Sequence, residues 1–217
     1  MGRTTSACKR SSNIFDLKES HMKKIFAILA LAATTSAFAD SGVSFEFERE
    51  RGTASPNTMS NTIKVAPYVK LDNGVKLDLQ FGGSRDDGQV SGNNNALENT
   101  IEARAQRMYE VYPGLKLGAR VGIGQVVNGT NSAGKTVDFG YYTITPKAEY
   151  AFNDKLSALA SFRFRNGFSD SDNYLTRTAK AGLGYNVTKK DTVEVQYFQK
   201  RGDQSVNGVE LAYSRSF

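Results

Sequence analysis

The sequence predicts an all-β chain closed into a transmembrane antiparallel up-and-down β-barrel of about ten strands, with about eight or twelve also compatible. Three observations predict it. From Val43 to Tyr213 apolar side chains recur at every second position, the period of a strand, and no segment after residue 39 has helical spacing. The connections between these runs alternate between long and short. Finally, the runs are preceded by an apolar segment of the kind that directs export.

That segment, Met22 to Ala39, reads MKKIFAILALAATTSAFA. Lys23 and Lys24 form a positive n-region, Ile25 to Ala33 an apolar core, and Ala37-Phe38-Ala39 a small-x-small cleavage site. The core is too short to cross a bilayer as a helix. Residues 22–39 are therefore expected to be a cleaved signal peptide. Residues 1–21 lack any pattern and read as a leader or an over-extended start, with no fold assigned. What remains, 40–217, is expected to form one β-barrel domain. Cys8 and His21, the only cysteine and histidine, lie upstream of the cut. The mature chain therefore lacks thiolate nucleophiles, imidazole bases and the usual transition-metal ligands, and neither cofactor, metal nor catalytic residue is expected. Six of the 28 basic and two of the 22 acidic residues also precede Asp40, which leaves about +2 and no argument for nucleic-acid binding.

The strands follow in order. Val43, Phe45 and Phe47 alternate with Ser44, Glu46 and Glu48. Next come Ile63 to Leu71, Val75 to Phe81, and Ile101 to Val111. Leu115-Leu117-Ala119-Val121-Ile123 is the cleanest alternation. Tyr142 to Phe152 and Leu156 to Phe164 precede three final runs, Ala179 to Val187, Val193 to Tyr197 and Val209 to Tyr213. Between them, Asp72-Asn73-Gly74, Pro113-Gly114, Asn153-Asp154 and Thr188–Asp191 read as tight turns. Thr53–Ser60, Asp86–Asn99, Asn128–Thr136 and Asn166–Asn173 read as long loops. A meander with tight turns at one end and long loops at the other is the result.

Period two alone leaves open which face of the sheet is enclosed. A soluble, lipocalin-like barrel would turn the apolar face inward. Four features favour the opposite orientation: the export signal, Tyr and Phe near strand ends, the asymmetry of the loops, and a polar face that is ionic rather than merely hydrophilic. Closure of the last strand on the first would remove the unpaired edge that lipid cannot tolerate, and would set Phe217 at the membrane interface. Arg107 falls in the lipid-facing register. A bulge between Ala105 and Tyr109 would turn it inward.

The export signal, the alternating strands and a last strand ending in Phe217 resemble the outer-membrane β-barrel proteins of Gram-negative bacteria. In that resemblance Val209, Leu211, Tyr213 and Phe217 match the terminal signal read by the barrel-assembly machinery, and Arg215 departs from it. Outer-membrane lipid, the assembly machinery and periplasmic chaperones are the implied partners. A narrower likeness is to the monomeric oligogalacturonate-type porins, carried by YTITPKAEYAFNDKLSALASFRFRN. Those have about twelve strands rather than ten.

With apolar positions outward, the interior receives Glu46, Glu48 and Glu50 from the first strand. Arg120, Lys147, Arg163, Arg165 and Lys180 come from the fifth to the eighth. Opposed acidic and basic walls would line a narrow pore and select small hydrophilic or charged solutes. Gly82, Gly118, Gly122, Gly124, Gly182 and Gly184 on the same face suggest open volume. The other reading of these charges is a non-conducting structural or surface-adhesion barrel with a salt-bridged core. Two motifs are declined. GTNSAGKT (Gly129 to Thr136) fits a phosphate loop, but a strand rather than a helix follows it. Arg201-Gly202-Asp203 is explained by a hairpin.

Overall fold

The computed structural model describes residues 40–53, 59–86, 97–130, 136–169, 175–202 and 205–217. The expected leader, the signal peptide, most of the Asp86–Asn99 loop and Asp203 lie outside them. Ten strands follow: β1 (Asp40–Gly52), β2 (Met59–Lys70), β3 (Lys76–Asp86), β4 (Leu97–Tyr112), β5 (Leu115–Thr130), β6 (Thr136–Ala151), β7 (Leu156–Gly167), β8 (Thr176–Asn186), β9 (Asp191–Gly202) and β10 (Val206–Ser216). Each pairs antiparallel with the next, and β10 pairs with β1 to close the barrel. The seam runs from Gly42↔Ser216 to Gly52↔Val206, and the Phe217 amide donates to Ser41 O at 2.8 Å. This holds the last strand, as its apolar alternation requires.

Local chemistry sets the tight turns. Gly74 and Gly114 have φ of 81° and 79°, a region open to glycine and costly for other residues. Asn73 Oδ1 accepts from Val75 N at 3.0 Å, and Asn153 Oδ1 accepts from Lys155 N and Leu156 N at 2.9 Å. At the other end the strands run further than their apolar residues suggest. Asn99 is already paired in β4, and β5 continues to Thr130, so Gly129 and Thr130 of the phosphate-loop look-alike are strand residues. Polar residues can extend a strand there because the ladder is made by backbone groups alone.

Tracing ladder partners from Glu98 in β4 through β3, β2, β1 and β10 round to β5 returns to β4 at Glu110, twelve residues away. A stagger of that size, at about 3.3 Å per residue across strands about 4.8 Å apart, tilts the strands by roughly 40°.

The faces are inverted relative to a water-soluble protein. Ile63, Ile123 and Leu183 are 62%, 61% and 52% exposed, whereas Glu102 and Glu210 are 2% and 5% exposed. The soluble, apolar-inside alternative is thereby overturned. Tyr109, Tyr150, Tyr185 and Phe217 ring the tight-turn rim, and Tyr142 packs against Phe164 and Phe168 toward the long-loop rim. Arg107 remains on the outer face, opposite Ala119. The ladder is regular from Asn99 to Glu110 and shifts only between Glu110 and Tyr112, so no bulge turns Arg107 inward. Its guanidinium instead stands 4.7 Å from the Tyr109 ring centroid, near the tight-turn rim. Arg215, the departure from the terminal pattern, is also outward. It lies 3.4 Å from Asp191 Oδ1, which accepts from Tyr213 Oη at 2.7 Å.

Candidate functional site

The enclosed face gathers the ionic side chains into two clusters on opposite walls. On the β8–β9–β10–β1–β2 wall, Glu48 accepts from Lys64 at 2.5 Å and from Lys180 at 2.8 Å. Lys180 pairs with Glu210 as well. Lys64 lies 3.5 Å from Glu46, and Lys200 lies 2.5 Å from Glu50. Glu46, Glu48 and Glu210 bring carboxylate oxygens within 4.8 Å of one another, a spacing that could hold a divalent cation. The Lys64 and Lys180 ammonium groups already supply the counter-charge there.

On the β3–β7 wall, Glu102 accepts from Arg163 at 2.5 Å, Thr143 at 2.6 Å and Tyr141 at 3.2 Å. Arg165 stacks over the Tyr141 ring, 4.9 Å from its centroid, and Arg104 pairs with Asp78 on the neighbouring strand. The expected arrangement of an acidic wall facing a basic one is thus replaced by local neutralisation. Lys180 belongs to the acidic cluster, and Arg163 has its own carboxylate in β4. The physical reason is distance: a lysine three strands from β1 spans that arc with its extended stem, where an ion pair across the bore would not close.

Arg120 and Lys147 are arranged differently. Both donate to Gln106 Oε1, at 3.0 and 3.1 Å, and among the described residues neither has a carboxylate within ion-pair distance. With Lys76 they line a cavity of about 210 Å³ in the half of the lumen nearer the tight turns, whose carboxylates are Glu46, Glu102, Glu149, Glu194 and Glu210. In the half nearer the long loops, Val126, Phe139 and Tyr141 form a buried apolar cluster beneath the rim. The inward glycines do not leave open volume, contrary to expectation. A Cβ at Gly124 would stand 2.6 Å from the Tyr141 ring, and one at Gly122 would meet Glu102 Oε1 at 2.5 Å. Cross-strand side chains fill those spaces.

Sequence reading missed Lys76, Gln106, Tyr141, Thr143 and Lys200. All are in phase with the ionic positions of their strands, so the same alternation could have found them. Val209, Leu211 and Tyr213 face outward, opposite Arg49, Phe47 and Phe45 of β1.

The model of the outer membrane protein β-barrel domain family matches residues 25–186. Curated protein sequences yield no match. Among solved structures, the chain is similar to an outer membrane channel from Pseudomonas putida F1, with a TM-score of 0.54 and 12% identity, over 85% of this chain and 97% of that one. It is also similar to the β domain of the Bordetella autotransporter BrkA, with a TM-score of 0.52 and 11% identity, over 82% and 99% of the two chains. Similarity to the KdgM porin is lower, with a TM-score of 0.40 and 14% identity over 80% and 99%, and carries no weight for substrate. At these identities the likeness concerns the fold alone.

Proposed function

Because the chain belongs to the outer membrane protein β-barrel domain family, we propose that it is a narrow channel for small hydrophilic or charged solutes, with a preference for anions. The observation carrying this reading is the cavity between the two ionic clusters, lined by seven basic side chains, Lys76, Arg120 and Lys147 among them, and five carboxylates. Cations held by neutral Gln106 leave a positive potential for a passing anion. The protein reaches the membrane in this proposal through the cleaved signal at 22–39. Periplasmic chaperones then deliver it to the barrel-assembly machinery of a Gram-negative envelope, which reads Val209, Leu211, Tyr213 and Phe217. No catalysis is proposed, since from Asp40 onward the sequence contains neither His nor Cys.

Planar-bilayer recording tests the channel. Small conductance steps with an anion preference are expected, and the double substitution Arg120→Gln, Lys147→Gln should weaken that preference. Silent bilayers containing correctly folded protein would overturn it. The second reading, a non-conducting structural or surface-adhesion barrel with a salt-bridged core, is favoured by the Lys180 link between β8 and β1 and by the Val126–Phe139–Tyr141 cluster. It is distinguished by deleting residues 87–96, which would then abolish surface binding and leave permeability unchanged.

A further inference from the structure

The outer face changes character at the long-loop rim. Five exposed arginines stand there in the outward register: Arg49 and Arg51 on β1, Arg85 on β3, Arg177 on β8 and Arg201 on β9. They are confined to one arc, β8-β9-β10-β1-β2-β3. At the same level on β4 to β7 the outward positions are neutral, including Gln125, Tyr142 and Asn166. On the arginine arc, no described outward residue at this rim is acidic.

The depth of these residues is given by their ladder partners. Arg49 lies between Asn61 and Val209, directly above Phe47, Ile63 and Leu211 of the apolar band. Arg51 lies between Met59 and Asn207. The guanidinium groups therefore sit where hydrocarbon gives way to lipid headgroups, on the side of the long loops, which in these barrels is the outer leaflet. Arg177 and Arg201 are direct cross-strand partners, an arrangement of like charges that destabilises a sheet unless an anion joins them. Arg201 is held in place by neutral acceptors, the carbonyls of Lys200 and Val206 at 3.0 and 3.3 Å and Asn207 Oδ1 at 3.1 Å. Beside it a shallow groove of about 360 Å³ opens on the outer surface between Arg49, Arg51, Met59, Tyr197 and Asn207. Its lining is apolar, formed in part by the stems of Arg49 and Arg51, and the Arg49 guanidinium lies 3.5 Å from Met59 Sδ.

We infer that this arc is a binding site for a phosphorylated lipid headgroup of the outer leaflet. Arg49 and Arg51 grip the phosphate, whose geometry suits the guanidinium fork. Tyr197 and Met59 receive the start of the acyl region. Arg85, Arg177 and Arg201 extend the field to either side. The site is independent of the lumen, so it stands whether or not the barrel conducts.

The test is native mass spectrometry of the full protein released from phosphatidylcholine bilayers doped with phosphatidic acid, a lipid phosphomonoester. Retention of phosphatidic acid over phosphatidylcholine by about thirtyfold is expected for the two gripping arginines, at roughly 1 kcal/mol per basic residue near an anionic surface. In Arg49→Gln, Arg51→Gln the preference should fall to near parity, while Arg49→Lys, Arg51→Lys should keep part of it. Folding of each variant is checked by the gel mobility of unheated protein. If the double variant does not fold, Arg85→Gln, at the edge of the arc, should still lower the preference. Equal retention of the two lipids by the unsubstituted protein would overturn the site. So would full retention in folded Arg49→Gln, Arg51→Gln. Equal retention of phosphatidylglycerol, a phosphodiester, would overturn the assignment to a phosphomonoester. Release of the bound lipid by inorganic phosphate alone would overturn the assignment to a lipid.

Discussion

Lys180 joins three strands through one ammonium group, reaching Glu48 of β1 and Glu210 of β10 from β8. Removing it leaves Glu210, under a tenth exposed, without its cation beside a Glu48 that keeps only Lys64. Loss of one partner from a buried pair costs about 3–5 kcal/mol. Lys180→Met should therefore lower stability by that order in urea unfolding from lipid vesicles, with part restored by adding Glu210→Gln. Arg107 gives the opposite expectation. Because its guanidinium rests on Tyr109 near the rim, Arg107→Leu should change stability by less than about 1 kcal/mol, rather than gaining the roughly 2–4 kcal/mol that relieving a mid-bilayer arginine would give. At this scale the sequence showed which residues are enclosed but not which partner each takes. Glu102 illustrates why. Its partners Thr143 and Arg163 lie two and three strands away, and only the stagger of the barrel brings them to its level. Alternation within one strand contains no information about that stagger.

The inward glycines of β5 act through the ring and hydroxyl groups that lie on them. Gly124→Ala would drive a methyl group into Tyr141 and push its hydroxyl away from Glu102. A destabilisation of about 1–3 kcal/mol is expected for such overpacking, and should be smaller in a Tyr141→Ala background, a double-mutant cycle read by the same urea titration. Strands were legible because an alternating pattern survives in every one of them, from Phe45 in β1 to Leu211 in β10. Their outer ends were not. Asn99, Gly129 and Thr130 carry no apolar signal, yet they remain in the ladder because a sheet standing clear of lipid needs only its backbone bonds. The shift in pairing between Val126 and Gly129 was equally hidden, since nothing in Val126-Val127-Asn128 announces it.

For the whole molecule, the apolar outer band between the tight-turn tyrosines and the arginine rim corresponds to a membrane of about 25 Å. Refolding yield, read as the mobility difference between boiled and unboiled samples, should be highest in lipids whose hydrocarbon thickness is close to that value. It should fall in thicker bilayers. The orientation of the sheet was readable because, within the apolar band, the carboxylates and lysines occupy one phase and most phenylalanines the other. The apolar cluster at one end of the lumen and the ionic cavity at the other were not readable, since they depend on which side chains share a level. One consequence of the seam concerns time rather than space. Thr53 is tied to Ser205 across 152 positions of chain, and every rung between β1 and β10 has the same long-range character. In the export route proposed above, the strand that crosses the inner membrane first must wait for the one that crosses last, and no sealed cylinder exists while secretion is under way. Within that proposal, a helper that shields the waiting strands and a catalyst that acts on the final one would answer such a delay.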